Sequence, residues 1–161
     1  MNRLMNILSV TAILIVWVMA GNVAAADKDI TGWETDSPYN QLYNPKERDS
    51  IKGTITKFIT VKPMKGMAPG TAFYLDEGDG ERLLVHVCPK SYATARETGL
   101  QAGDWVKIKG VWMDIEDETV FVAAKIKKDS GYSYKVRLSS DGTPFWTMPP
   151  EQLEAELAAV E

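Results

Sequence analysis

The chain has 161 residues, 45% of them apolar and 25% charged, with a formal net charge of −4. Such a composition suits one globular domain and excludes low-complexity, collagen-like and multi-span membrane architectures. The acidic balance counts against general nucleic-acid binding, which depends on Lys and Arg neutralising phosphates, and the single cysteine excludes an intramolecular disulfide.

The first predicted element is a processing segment. Met1-Asn2-Arg3 precedes an apolar run over residues 7–19, and Val23-Ala24-Ala25-Ala26 precedes Asp27. A basic start, a short apolar middle and small residues at a cut site describe a signal peptide over residues 1–26, cleaved after Ala25 or Ala26. The apolar core falls short of the roughly 20 residues that span a bilayer. The mature chain is therefore expected in the periplasm, without a transmembrane segment.

Residues 27–50 have no helical or strand period but carry Trp33, Tyr39 and Tyr43. Leaving such aromatics in water forgoes roughly 1.5–3 kcal/mol each, so an ordered arm packed on the domain is expected. Residues 51–61 are rich in β-branched side chains and predict a strand, with Ile51, Ile55, Ile59 and Val61 mainly on one face and a bulge or bend at Gly53. Residues 62–70 form a loop with two prolines and two glycines, and carry Met64 and Met67. Short strands at 71–75 and 82–88 flank a Gly-rich turn and predict a hairpin. On the second of these, period-2 alternation places Leu83, Val85 and Val87 inside, and Leu84, His86 and Cys88 outside.

Residues 89–98 begin with Pro and stop at Gly99, which is helix punctuation. Strands follow at 105–113 and 119–127, joined by the acidic turn 114–118, with Val120, Val122, Ala124 and Ile126 expected on one face. A further strand is expected at 132–138 and a turn at 140–142. A tail helix is expected at 149–160, where Leu153 and Leu157 lie four apart.

Five strands with a helix after the third is the OB order. The predicted fold is all-β with one or two short helices: an OB-fold-like five-stranded Greek-key barrel plus a C-terminal strand and helix extension. Residues 51–147 form the barrel with its extension, and 148–161 a helical acidic tail. A generic β-sandwich fits the same strand spacing.

Several segments carry a family likeness: Tyr39-Asn-Gln-Leu-Tyr43-Asn-Pro45, Ile51-Lys-Gly-Thr-Ile-Thr56, Pro63-Met-Lys-Gly-Met67, Val85-His-Val87, Gly103-Asp-Trp-Val-Lys-Ile-Lys-Gly110 and Asp141-Gly-Thr-Pro-Phe-Trp146. Together they resemble a group of small secreted bacterial OB-fold proteins found in anaerobic and metal- or sulfur-respiring bacteria. The resemblance spans most of the mature chain, and the Pro-Met-Lys-Gly-Met loop is its most specific part. It implies a periplasmic OB fold. Cys88-Pro89 stands where the group has Gly-Pro, so a thiol role would be particular to this chain.

In OB folds the outer face of strands two and three, with the loop between strands one and two, is the usual ligand platform. Here that platform would comprise Met64, Met67, Tyr74, His86 and Cys88. Thioether, thiolate and imidazole suit copper(I) or haem iron, which makes His86, Cys88, Met64 and Met67 candidate metal ligands. The same residues also read as packing: Met fills gaps, Cys behaves as a small apolar group and a lone His often only satisfies a hydrogen bond, with the aromatic arm of Trp33, Tyr39 and Tyr43 lying over this face and burying it.

A Cys–His dyad is disfavoured, because residues i and i+2 on a strand stand about 6–7 Å apart. The acidic turn reads as a solvated hairpin tip. Trp105, Trp112, Tyr74 and Phe73 offer stacking surfaces, against which the net charge argues. The chain therefore reads as a non-enzymatic binding module for an envelope protein partner or small ligand. The alternatives are a copper or haem carrier and a single-strand nucleic-acid or oligosaccharide binder. Association through Cys88 or the tail helix is a further expectation.

Overall fold

The structure, a computed structural model, describes residues 28–159. The signal-peptide reading of residues 1–26 and the last two tail residues fall outside the described residues. The strands are β1 (Arg48–Val61), β2 (Gly70–Asp76), β3 (Arg82–Pro89), β4 (Trp105–Ile115), β5 (Glu118–Lys128) and β6 (Ser133–Lys135). Their order in the sheet is β3-β2-β1-β4-β5-β6. A parallel pairing of β3 with β5, through Val85↔Phe121 and His86↔Val122, closes the first five into a ring.

Closure depends on β1, the longest strand. Its first half pairs with β4 and its second half with β2, and Thr54 pairs with both. At Gly53 a Cβ would overlap the Asp76 carbonyl, so glycine is required by close approach and not by a bulge. The bulge falls at Thr56, which has no partner in the register. It reverses the faces beyond it. Phe58 packs edge-on against Phe73 at 5.4 Å, while Ile59 and Val61 are only half-buried. The expected inward stripe through Ile59 and Val61 is thereby corrected.

Inside the ring, Ile51, Ile55, Phe73, Leu75, Val85, Ile108, Phe121 and Ile126 form a buried core. Part of the opposite face, on β3, the second half of β4 and the first half of β5, is also apolar and buried: Leu84, Val111, Met113, Val120 and Val122 lie there with His86. A sheet face stays dry only when something covers it. The cover is the segment before β1 together with residues after β6. Trp33, Tyr39, Tyr43, Val136 and Trp146 join the same buried cluster.

The arm contains a one-turn helix, α1 (Pro38–Gln41), whose N-cap Ser37 accepts from the Asn40 amide. Trp33 is fully buried and its ring occupies the space that a Cβ on Gly70 would need. Its indole N–H donates to the Ala68 carbonyl at 2.9 Å, which ties the arm to the β1–β2 loop.

The helix expected over residues 89–98 does not form. The segment makes two separate turns, Ala93 N–H to Pro89 O and Thr98 N–H to Thr94 O. The Glu97 carboxylate accepts from both the amide and the hydroxyl of Thr94. Between the turns, the Ala93 carbonyl points inward and accepts from the Thr71 hydroxyl at 2.6 Å. That tether removes the carbonyl from any helical ladder. The tail is helical as α2 (Pro150–Ala158), with no buried residue and Leu157 55% exposed. No described helix is long and apolar enough to cross a membrane.

Candidate functional site

Opposite the β1–β2 loop a cleft of about 390 Å³ opens on the covered face. Val61, Leu84, Ile115 and Val120 give it apolar walls, Lys62 and Pro63 form one lip, and Glu116, Asp117 and Glu118 form the other. The acidic lip is the tight β4–β5 hairpin, where Ile115 pairs with Glu118 across Glu116 and Asp117. Glu116 adopts φ +54°, a left-handed conformation that costs a non-glycine residue on the order of 1 kcal/mol. The tip is exposed to solvent, as expected of a hairpin tip, and also forms one lip of the cleft.

His86 also lines this cleft. It is 3% exposed, and its Nδ1 lies 3.1 Å from the Tyr39 hydroxyl, with the rings stacked at 6.0 Å. The arm therefore fixes the imidazole across 47 residues of sequence. When Tyr39 donates, the other ring nitrogen carries a proton and is a donor. When Nδ1 donates, that nitrogen presents a lone pair. Burial pushes the imidazole down to about 4, so it is neutral at pH 7.

The other candidate residues do not meet His86 in the cleft. Cys88 is fully buried and its thiol donates to the Ala93 carbonyl at 3.5 Å. Met67 is buried against Gly32 of the arm, and Met64 is half-buried on the core. Tyr74 is half-buried on β2, where its register partner is Leu84. Among the described residues, no group of three His, Cys, Asp or Glu side chains is placed to hold a metal.

Of the two readings of the outer face, the structure shows the packed one: the arm lies over His86 through Tyr39, and an open platform carrying both His86 and Cys88 is not formed. A bulge at Val87, which lies unpaired between Cys88 and His86 in the β2–β3 register, further separates the two. Phe73, a candidate for base stacking, is fully buried, whereas Trp105 and Trp112 are 43% and 39% exposed.

Against known proteins, the profile of the MamS/MamX magnetosome protein family matches residues 47–132, more than half of the chain. The chain belongs to this family. The match covers all five strands of the ring and the His86 cleft. A phosphate propanoyltransferase of Lachnoclostridium phytofermentans is 32% identical over 97 residues, which are 60% of this chain and 39% of that protein. The chain thus spans about two fifths of that relative. No solved structure gives a significant match.

The family match leaves out the arm that contributes Trp33, Tyr39 and Tyr43 and the clamp that locks it. Arg137 is that clamp, and nothing in the sequence pattern singled it out. It is 2% exposed, and its guanidinium lies 4.6 Å from the Tyr43 ring centre and 4.8 Å from that of Trp146. It donates to the Asn40 side-chain oxygen at 2.8 Å and to the Gly142 carbonyl at 3.2 Å. No carboxylate accompanies it among the described residues, and burial holds its pKa below the usual range.

The Cys88 environment has a direct chemical consequence. Burial pushes the thiol up to about 12, and only the thiolate is nucleophilic. Iodoacetamide at pH 8 is expected to label Cys88 in the native chain about a hundredfold more slowly than in denaturant, as read by mass spectrometry. Equal rates would mean that the thiol is exposed. A buried thiol also cannot bridge two folded copies, so the expected association through Cys88 does not fit this fold.

Proposed function

We propose that this chain is a non-enzymatic binding module of the OB type, exported to the periplasm, whose ligand seat is the His86 cleft. Two features support the reading. The ring order β1-β2-β3-β5-β4 with parallel β3–β5 pairing is the connectivity expected of that type. The observation that carries the proposal is His86, a buried polar side chain anchored by Tyr39 that lines a cleft between the Lys62 lip and the acidic lip, beside the apolar walls of Val61, Leu84, Ile115 and Val120. A few convergent polar groups beside apolar walls are a usual form of a binding site.

The experiment is capture from an envelope fraction, with the parent chain and with Lys62→Ala and Glu118→Ala at the two lips. A partner or small ligand retained by the parent and lost by both variants supports the seat. Retention by both variants, or reproducible turnover of any substrate by the purified parent, refutes it.

A second reading follows from the Tyr39 bond. A histidine whose Nδ1 is held by a second group is oriented to present its other nitrogen to a metal. Copper or haem ligation would then use His86 alone, without Cys88, Met64 or Met67. Anoxic titration with copper(I) and with haem, followed by absorption, tests it. Binding abolished by His86→Ala and unchanged in Cys88→Ala supports the reading, and equal binding by His86→Ala overturns it.

A further inference from the structure

The chain is acidic overall, yet one face of its sheet is occupied by cations. On β1, β4, β5 and β6 the outward positions align in two rows. The first runs Lys52–Lys107–Lys127–Ser133, and the second runs Ser50–Lys109–Lys125–Lys135. Arg48 and Trp105 lie on the same face, beyond the second and first rows respectively. No Asp or Glu occupies a position in either row. Among the described residues, no carboxylate side chain pairs with Lys52, Lys107, Lys109, Lys127 or Lys135.

This arrangement works against folding. Lys52↔Lys107 and Lys107↔Lys127 are directly opposed cross-strand pairs of exposed lysines, and like charges directly opposed destabilise a sheet. One alternating Glu would relieve two such pairs at once. A face that keeps its lysines despite that cost is suited to a polyanion.

We propose that this lysine face docks on an anionic phospholipid surface. Its chemistry and its rim each point there. An extended acidic peptide would add to a sheet edge and not lie across its face. Lysine is a compact point charge on a flexible stem, without the rigid fork by which arginine recognises one phosphate geometry. Trp105 is 43% exposed on the same face as Lys107 and Lys109, and tryptophan favours the membrane–water interface.

The test uses the chain from Asp27 onward, which holds every strand and core residue described, in co-sedimentation with vesicles. Vesicles of phosphatidylcholine containing phosphatidylglycerol should bind it and release it at high salt. Pure phosphatidylcholine vesicles should not bind it. The double variant Lys107→Glu with Lys127→Glu should lose more than about tenfold in affinity, since each lysine near an anionic surface contributes about a fivefold factor. Trp105 emission should shift to the blue on the anionic vesicles, and Trp105→Ala should remove that shift.

Lys107→Glu alone should raise Tm by about 2–4 °C while weakening vesicle binding, which separates this role from a structural one. Equal binding to both vesicle types overturns the proposal, as does undiminished binding by the double variant. Tighter binding to polyglutamate or to duplex DNA than to the anionic vesicles would assign the face to that partner and likewise overturn it.

Discussion

Trp33→Ala is expected to lower folding stability by about 3–5 kcal/mol, the range for emptying a buried aromatic site. The ring is fully buried, meets Tyr39 edge-on at 4.8 Å and Trp146 at 5.9 Å, and donates to Ala68. The Trp33 carbonyl in turn accepts from the Trp146 indole at 2.7 Å and from the Asn40 amide at 2.8 Å. The residue is thus the point where arm, β1–β2 loop and C-terminal segment meet. A domain of this size has only about 5–15 kcal/mol in total, so the loss should be plain in urea unfolding. The native variant should also become sensitive to protease within the arm. A change below about 1 kcal/mol would show that the arm is not part of the cooperative fold.

Arg137→Ala should be comparably damaging, at about 3–5 kcal/mol. The substitution empties a large buried volume, removes the cation from between Tyr43 and Trp146, and leaves Asn40 and Gly142 oxygens without their donor. The charge itself is not the source of that stability, because an unpaired buried cation is costly. Arg137→Met separates these contributions: it keeps volume and discards both charge and donors. Urea unfolding of the two variants should place Met between Ala and the parent. If Ala equals the parent, Arg137 does not clamp the arm.

The ring was legible because its inward positions alternate along each strand. Ile51, Ile55, Val106, Ile108 and Ile126 follow from periodicity alone. Bulges at Thr56, Val87 and Ala124 were not legible, since a single unpaired residue leaves composition unchanged but reverses every face beyond it. The His86 environment was legible only as one of two alternatives, open or covered. Its place in the strand alternation is that of an outward residue, and only Tyr39, distant in sequence, makes that outward face an interior one.

The aromatic content of the arm signalled burial, and cover of the His86 face was one of the two readings of that face. Arg137 gave no signal, because a single arginine between Val136 and Leu138 looks like a solvent-facing strand position. The lysine face was present in the sequence as Lys107, Lys109, Lys125 and Lys127, but its coherence emerges only when the register places Lys52 and Lys135 in the same rows.

The central claim is that the arm seals the outer face of the ring and holds a neutral His86 at the cleft. With one histidine in the chain, its imidazole can be followed by NMR from pH 8 to pH 3.5. The account predicts shifts that stay flat to about pH 5 and a midpoint near 4. Because the folded pKa lies below the unfolded value of about 6.5, the unfolded chain takes up the proton first. Stability should therefore be independent of this group above pH 6.5 and fall between pH 6.5 and 4, a dependence that His86→Gln should remove. A midpoint near 6.5 in the native chain, with no such loss of stability, would show an exposed imidazole and contradict the account.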